Sequence, residues 1–382
     1  MSGSSQVESI TALHSAGAWS DRLRANLNRP RIPGLDGIRA IAVFLVIFSH
    51  FPLDWANGAM GVIMFFVLSG FLITWLLLNE LEKTGNISLK AFYKRRTFRI
   101  FPAFYAYWIF GIGITLLHRR PMPIGISIAS LCYVTNYYLA ILHPHTDSFL
   151  GHAWSLGVEE QFYLLWPLVV LLNRRNLARL TWIPLCIIPA VWINRAVLYF
   201  GFHVDQSYIY HAFDTRLDHL MVGCLLAILL KRRLFARPLR ILCEHPAAPL
   251  ASVGYLAFSC YLLDRLGFAY RHTWAWAADP FVIAIFIVQI ASGTWRWLNH
   301  PVLSFLGRIS YSLYLYQQLT LSTARRVTAS YPVAVQLVFA VAVTIAFATA
   351  SYYLVEQPVL RWSRRSKRTV VQPISIDTAA AA

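Results

Sequence analysis

The sequence predicts an all-α fold, a polytopic bundle of membrane-spanning helices. Three observations predict it. The first is composition: 57% of the 382 residues are hydrophobic and only 13% charged. Soluble domains carry about 25% charged residues, so this chain has too little charge to cover a water-facing surface. The second is a series of eleven apolar runs, near 36–53, 58–80, 101–118, 123–142, 152–172, 178–200, 210–230, 247–265, 275–292, 302–323 and 333–356. A spanning helix needs about 20 mostly apolar residues. The third is the placing of the 34 Lys+Arg, which against 17 Asp+Glu give a net charge of +17. On so apolar a chain that excess reads as cytoplasmic loop charge and not as a nucleic-acid surface.

Taken in order, the runs assign themselves to spans except one. Alternation of all eleven would put Arg174, Arg175 and Arg179 outside, against the positive-inside tendency. The run 123–142 follows Pro121 and Pro123, contains Asn136, and holds Tyr133, Tyr137 and Tyr138. That composition suits an interfacial or re-entrant segment. Without it, ten spans place both termini in the cytoplasm and collect about 24 Lys+Arg inside against about six outside. Eleven spans with one badly placed loop is the other count. Residues 1–32 lack an apolar signal core and read as a disordered basic cytoplasmic arm. Residues 33–362 form the membrane domain. Residues 363–382, basic and then Ala-rich, read as a disordered cytoplasmic tail.

Five cysteines without a CxxC pair (Cys132, Cys186, Cys224, Cys243, Cys260) lie mostly in apolar runs and act as small hydrophobes. His143, His145 and His152 with Asp147 flank an outer loop, but Pro144 and irregular spacing argue against a metal site. No metal is expected.

Charges inside spans are costly and usually functional. In the first span Arg39 and His50 lie about 16 Å apart along a helix, close to three turns, so both project from one face. Arg39 falls at the inner end and His50 toward the outer half. His50 reads either as a structural histidine bonded to a neighbouring helix or as a general base taking a proton from a hydroxyl. Arg96 and Arg99 are three apart and share a helical face at the cytoplasmic mouth of the next inner loop. They read either as positive-inside anchors or as planar donors for phosphates. Asp214, Arg216 and Asp218 open the seventh run. As one helix it would put the two carboxylates on one face, in a structural charge network with Arg39 or other intramembrane cations and with Asp36. Glu159 and Glu160 point about 100° apart, so at most one should face a given site.

The stretch IPGLDGIRAIAVFLVIFSH resembles the opening signature of the acyltransferase family 3 membrane proteins, where an Arg and a His stand apart as Arg39 and His50 do here. The block from Gly61 through RRTFRIFPAFY is similar to that family, and so are HAWSLGVEEQFYLLWP, DTRLDHLMVGCLLA, GRISYSLYLYQQ and VEQPVLRW. These run in order from about residue 33 to 362. One departure is visible: the family often has a His after the YSLYLW-like stretch, where this chain has Tyr316-Gln317-Gln318.

The resemblance implies O-acyl transfer, usually acetyl, from cytoplasmic acyl-CoA to a hydroxyl. Acceptors in the family include polysaccharide sugars, Nod factors, glucans and macrolides. It gives His50 the essential histidine role, Arg39 its partner role, and Arg96 and Arg99 the acyl-CoA-associated role. Glu159 or Glu160 and the group Asp214, Arg216 and Asp218 match further family motifs. The expected partners are membrane lipid, acyl-CoA and a glycan or lipid-linked sugar, in a bacterial inner membrane. Direct attack and an acyl-histidine intermediate both fit. Small residues Gly61, Ser69 and Gly70 would permit close helix approach or leave room for the pantetheine arm. A glycolipid transporter or flippase is the rival class; it expects inverted repeats, and none is visible. A non-catalytic scaffold gives no reason for His50 and the arginine pair to occur together.

Overall fold

The computed structural model describes residues 17–53, 56–142 and 148–368. These are all-helical, with no strand among the described residues. In lipid each backbone polar group must find its partner within its own segment, and helices do this. The elements are α1 (17–27), α2 (Pro33–Phe48), α3 (Gly58–Thr84), α4 (Leu89–Leu117), α5 (Ile124–Leu131), α6 (Thr135–Leu142), α7 (Ala153–Leu172), α8 (Leu177–Ala196) and α9 (Gln206–His211). They continue with α10 (Leu217–Lys231), α11 (Ala236–Glu244), α12 (Ala247–Tyr270), α13 (Trp276–Ser292), α14 (Pro301–Arg308), α15 (Ser310–Val327), α16 (Val333–Ser351) and α17 (Gln357–Arg368). Side-chain caps mark several starts: Asn57 accepts from the Met60 amide, Ser88 from Ala91 and Asn176 from Arg179.

Six helical stretches are long and apolar enough to cross a membrane: Gly58–Thr84, Leu89–Leu117, Ala153–Leu172, Leu177–Gly201, Arg265–Ser292 and Val333–Ser363. The bent pair α11–α12, broken by 86°, makes a seventh if it counts as one span. Large apolar side chains such as Ile109, Leu117, Leu164, Leu172, Trp182, Val338 and Leu354 point outward on α4, α7, α8, α16 and the turn after α16. A surface of that kind suits lipid. The protein is therefore a multi-pass helical membrane protein.

Several boundaries differ from the sequence expectation. The run 123–142 is two eight-residue helices, α5 and α6, each about 12 Å long, with Tyr133 at φ 55° between them. Neither crosses a bilayer alone. The helix α2 stops at Phe48, so His50 lies in the following turn and not on the face that bears Arg39. The seventh run does not begin as a helix either: Asp214 sits in a 3₁₀ turn and Arg216 caps α10. Residues 1–16 and 369–382 of the expected arm and tail, with His143, His145 and Asp147, lie outside the described residues. The remainder of the arm is partly ordered: residues 17–27 are helical, and Trp19, Leu23 and Leu27 are buried.

The centre of the bundle is α3 packed on α10, with α2 wedged between α3, α14 and α15. Glycine permits these approaches. A Cβ on Gly70 would stand 2.0 Å from the Leu220 carbonyl oxygen, one on Gly223 2.1 Å from that of Val67, and one on Gly61 2.3 Å from that of Ala42. Gly61 and Gly70 therefore serve close approach. Gly223→Ala is expected to cost about 1–3 kcal/mol by overpacking, read as a fall in the unfolding midpoint in detergent. Gly254→Ala, where a Cβ meets nothing within 4 Å, should leave it unchanged.

Candidate active site

Polar residues of α2, α4 and α7 meet in one group. The helix α4 starts at its Ser88 cap, which fixes Arg96 and Arg99 one turn apart on a helix already under way. Across from them α7 brings Glu159, Glu160 and Tyr163. The Arg96 guanidinium lies 4.0 Å from the centre of the Tyr163 ring. The Tyr163 hydroxyl donates to Ser69 Oγ at 2.9 Å, and Ser69 Oγ donates to Glu159 Oε1 at 2.7 Å. Arg39 reaches this group from α2, held through Nη1 by Asp36 Oδ1 at 3.3 Å. Asp36 also takes Arg31 Nε at 2.9 Å. The carboxylate of Glu356 accepts the Ser312 hydroxyl and faces Arg99.

Arg99 is open to solvent yet surrounded by Arg39, Arg96, Glu356 and Tyr163. A side chain both accessible and ringed by protein lies in a recess, not on a protruding surface. Arg39, Arg96, Glu159 and Glu160 are half-buried in the same group. Both carboxylates feel Arg96, but they point to different neighbours. Glu159 turns to Ser69 and Tyr163, whereas Glu160 turns to Tyr105, Tyr133 and Tyr311. The Nε of Arg96 is buried and has no partner among the described residues. Three guanidiniums in a recess can hold phosphate oxygens, and the carboxylates keep them from repelling one another.

At the other end of α2, His50 is exposed. Its backbone is pinned, its amide donating to Ile47 O at 3.2 Å and its carbonyl accepting from Arg325 Nη1 at 3.0 Å. The buried His152, just before α7, is its electrostatic neighbour. Beside His152, the Tyr314 hydroxyl meets Ser155 Oγ at 2.6 Å and the His152 carbonyl oxygen at 3.0 Å. Sequence reasoning did not single out Tyr314 or Ser155, although both sit in the blocks HAWSLGVEEQ and ISYSLYLYQQ. Gln317, in the stretch where the family often has a His, is fully buried, and its amide has no partner among the described residues.

In the third constellation the partner is one of the other intramembrane cations. Asp218 pairs with Arg195 of α8 and not with Arg39: two bonds of 2.8 and 2.7 Å join fully buried partners, and Trp192 Nε1 adds a third at 3.0 Å. Asp214 accepts from Tyr137, Tyr208 and Asn194. Arg216 faces aromatic rings. Arg195 was missed; its signal was a charge inside the run 178–200. Among the described residues no group of three His, Cys, Asp or Glu side chains could hold a metal ion.

A multi-pass helical protein with an arginine-lined recess between α2 and α4, and an exposed histidine in the turn after α2, is the class defined so far. The model of the family described as an acyltransferase domain matches residues 32–353. The chain belongs to acyltransferase family 3. It is similar to the peptidoglycan O-acetyltransferase OatA of Listeria monocytogenes, 33% identical over 362 residues, covering 87% of this chain and 56% of OatA. It is also similar to a Staphylococcus aureus protein named "Putative O-acetyltransferase SACOL0978", 33% identical over 353 residues, covering 86% of this chain and 57% of that one. The chain thus spans little more than half the length of the curated relatives it matches. No solved structure matches it.

Proposed function

We propose that this protein is a membrane O-acyltransferase that moves an acetyl group from cytoplasmic acyl-CoA to a hydroxyl of a glycan or glycolipid. The observation that supports it best is the recess formed by Arg39, Arg96 and Arg99 against Glu159, Glu160 and Glu356, joined by one helix to the turn that bears His50. The anionic nucleotide of the donor stays at the arginines, since it is too polar to enter lipid. Its thin pantetheine arm reaches along α2 toward the turn that bears His50; from Arg39 to the end of α2 at Phe48 is about 14 Å. The exposed ring of His50 receives the acceptor from the other side. His50 takes the hydroxyl proton, and the hydroxyl oxygen bonds to the thioester carbonyl carbon. The carbon–sulfur bond breaks, and the CoA thiolate leaves and takes up the proton. A nearby donor stabilises the oxyanion. The name of the Listeria relative supports a glycan acceptor. Ten spans, counted by adding α2, α10, α12 and α15 to the six long stretches, with both termini facing the cytoplasm of a bacterial inner membrane, complete the proposal.

The test is CoA release by purified protein supplied with acetyl-CoA and a glycan acceptor. Arg99→Gln should raise the KM for acetyl-CoA roughly tenfold or more, the loss of one charge-assisted contact, with a smaller change in kcat. A protein that moved glycolipid across vesicles without releasing CoA would be a transporter, and the proposal would be wrong.

A further inference from the structure

Arg216 is 0% exposed, and none of its N–H groups is hydrogen-bonded among the described residues. The guanidinium lies among rings, with the centre of Trp276 at 3.6 Å, Tyr210 at 4.8 Å and Trp154 at 5.2 Å. Its edge carries the N–H groups, and neither Nε, Nη1 nor Nη2 has a hydrogen-bond partner among the described residues. The neighbouring carboxylate, Asp218, is already bound twice by Arg195 and once by Trp192. Arg271 adds a further positive charge nearby. His272 is also buried, its two ring nitrogens have no partner among the described residues, and it lies in the field of Arg216 with its ring 4.1 Å from Trp276. Buried cations are normally paired and their N–H groups bonded. Here Arg195 and Arg216 share one carboxylate, with Arg271 near Arg216.

We propose that the edge of Arg216, with His272 beside it, forms an anion site that takes a small monovalent anion of the chloride class. The rings pack against the guanidinium, and its unpartnered N–H groups are what an occupant would meet. Its complete removal from solvent selects an ion that sheds water cheaply, which a halide does more readily than a phosphate. Aromatic ring edges carry positive potential and complete such a shell. The segment Arg271–Ala275 is a π-helical turn, a local distortion frequent at functional sites. It holds His272 against Phe268 and Tyr199. Tyr199 also lines an open cleft with Phe200, His203, Val204, Asp205 and Gln206. The bound anion neutralises the group that joins α8, α10 and α13. This site is separate from the arginine recess and does not depend on the acyl-transfer reading.

The experiment compares thermal unfolding of the full chain in detergent in sodium chloride and in sodium gluconate at equal sodium concentration. Chloride should raise the midpoint saturably, by roughly 3 °C at saturation, and Arg216→Gln should lose that response. Crystals of the unsubstituted protein grown in bromide should show an anomalous peak in contact with Arg216 Nη1 or Nη2. That readout decides the matter if Arg216→Gln does not fold. Equal midpoints in the two salts, a chloride response kept by Arg216→Gln, or bromide bound only elsewhere would each overturn the proposal.

Discussion

His50→Ala is expected to lower acetyl transfer by about 10²- to 10⁴-fold, the usual contribution of a general base, while leaving the fold as it is. The second half of that expectation follows from the structure. His50 is exposed, its amide and carbonyl make the contacts that fix the turn, and Arg325 bonds the carbonyl and not the ring. Alanine keeps both backbone bonds. The unfolding midpoint in detergent should therefore stay put, and acetyl-CoA should still bind at the arginines of α2 and α4. Transfer to a glycan, followed as CoA release and as ester formed, should collapse in kcat with KM for the donor little changed. A variant that kept half its activity would remove His50 from the chemistry and shift attention to the buried His152. A variant that lost donor binding as well would mean that His50 shapes the passage and does not move a proton.

What the chain reveals without its structure divides along the range of the forces involved. Long apolar runs are local, and six of them are long apolar helical stretches in the fold. The spacing of Arg96 and Arg99 is local too, and α4 keeps both on one helix. The end of α2 carried a signal that was passed over: Pro52 disfavours helix at the residue before it, and the helix stops at Phe48. Trp19, Leu23 and Leu27 recur at every fourth position, an apolar stripe that marks a packed helix inside an arm expected to be disordered. The start of α10 had no such local sign. Arg216 lies under Trp276 and Asp218 is tied to Arg195, contacts across 60 and 23 residues that no window of sequence contains. The same distance hid the choice of partner for Asp218. A buried carboxylate in a span demands a cation, but which cation depends on the crossing of α8 and α10.

Removing either member of the Arg195–Asp218 pair should destabilise the protein by about 3–5 kcal/mol, the usual consequence of leaving one buried charge alone. The two losses differ in kind. Arg195→Leu strands the Asp218 carboxylate with Trp192 as its remaining side-chain donor, while Asp218→Leu leaves Arg195 and Arg216 adjacent without the carboxylate between them. Arg195→Leu combined with Asp218→Leu removes the pair and its desolvation cost together, so it should be less destabilised than the sum of the single changes. Unfolding midpoints of the three variants in detergent measure this, and single losses below about 1 kcal/mol would mean that the pair is solvated. The consequence extends to the site. Asp218 ties α10 to α8, α10 packs face to face on α3, and Ser69 of α3 holds Glu159 opposite Arg96. An α10 released from α8 would loosen the carboxylate that faces the arginines. Transfer activity in the single variants should therefore fall before the protein unfolds.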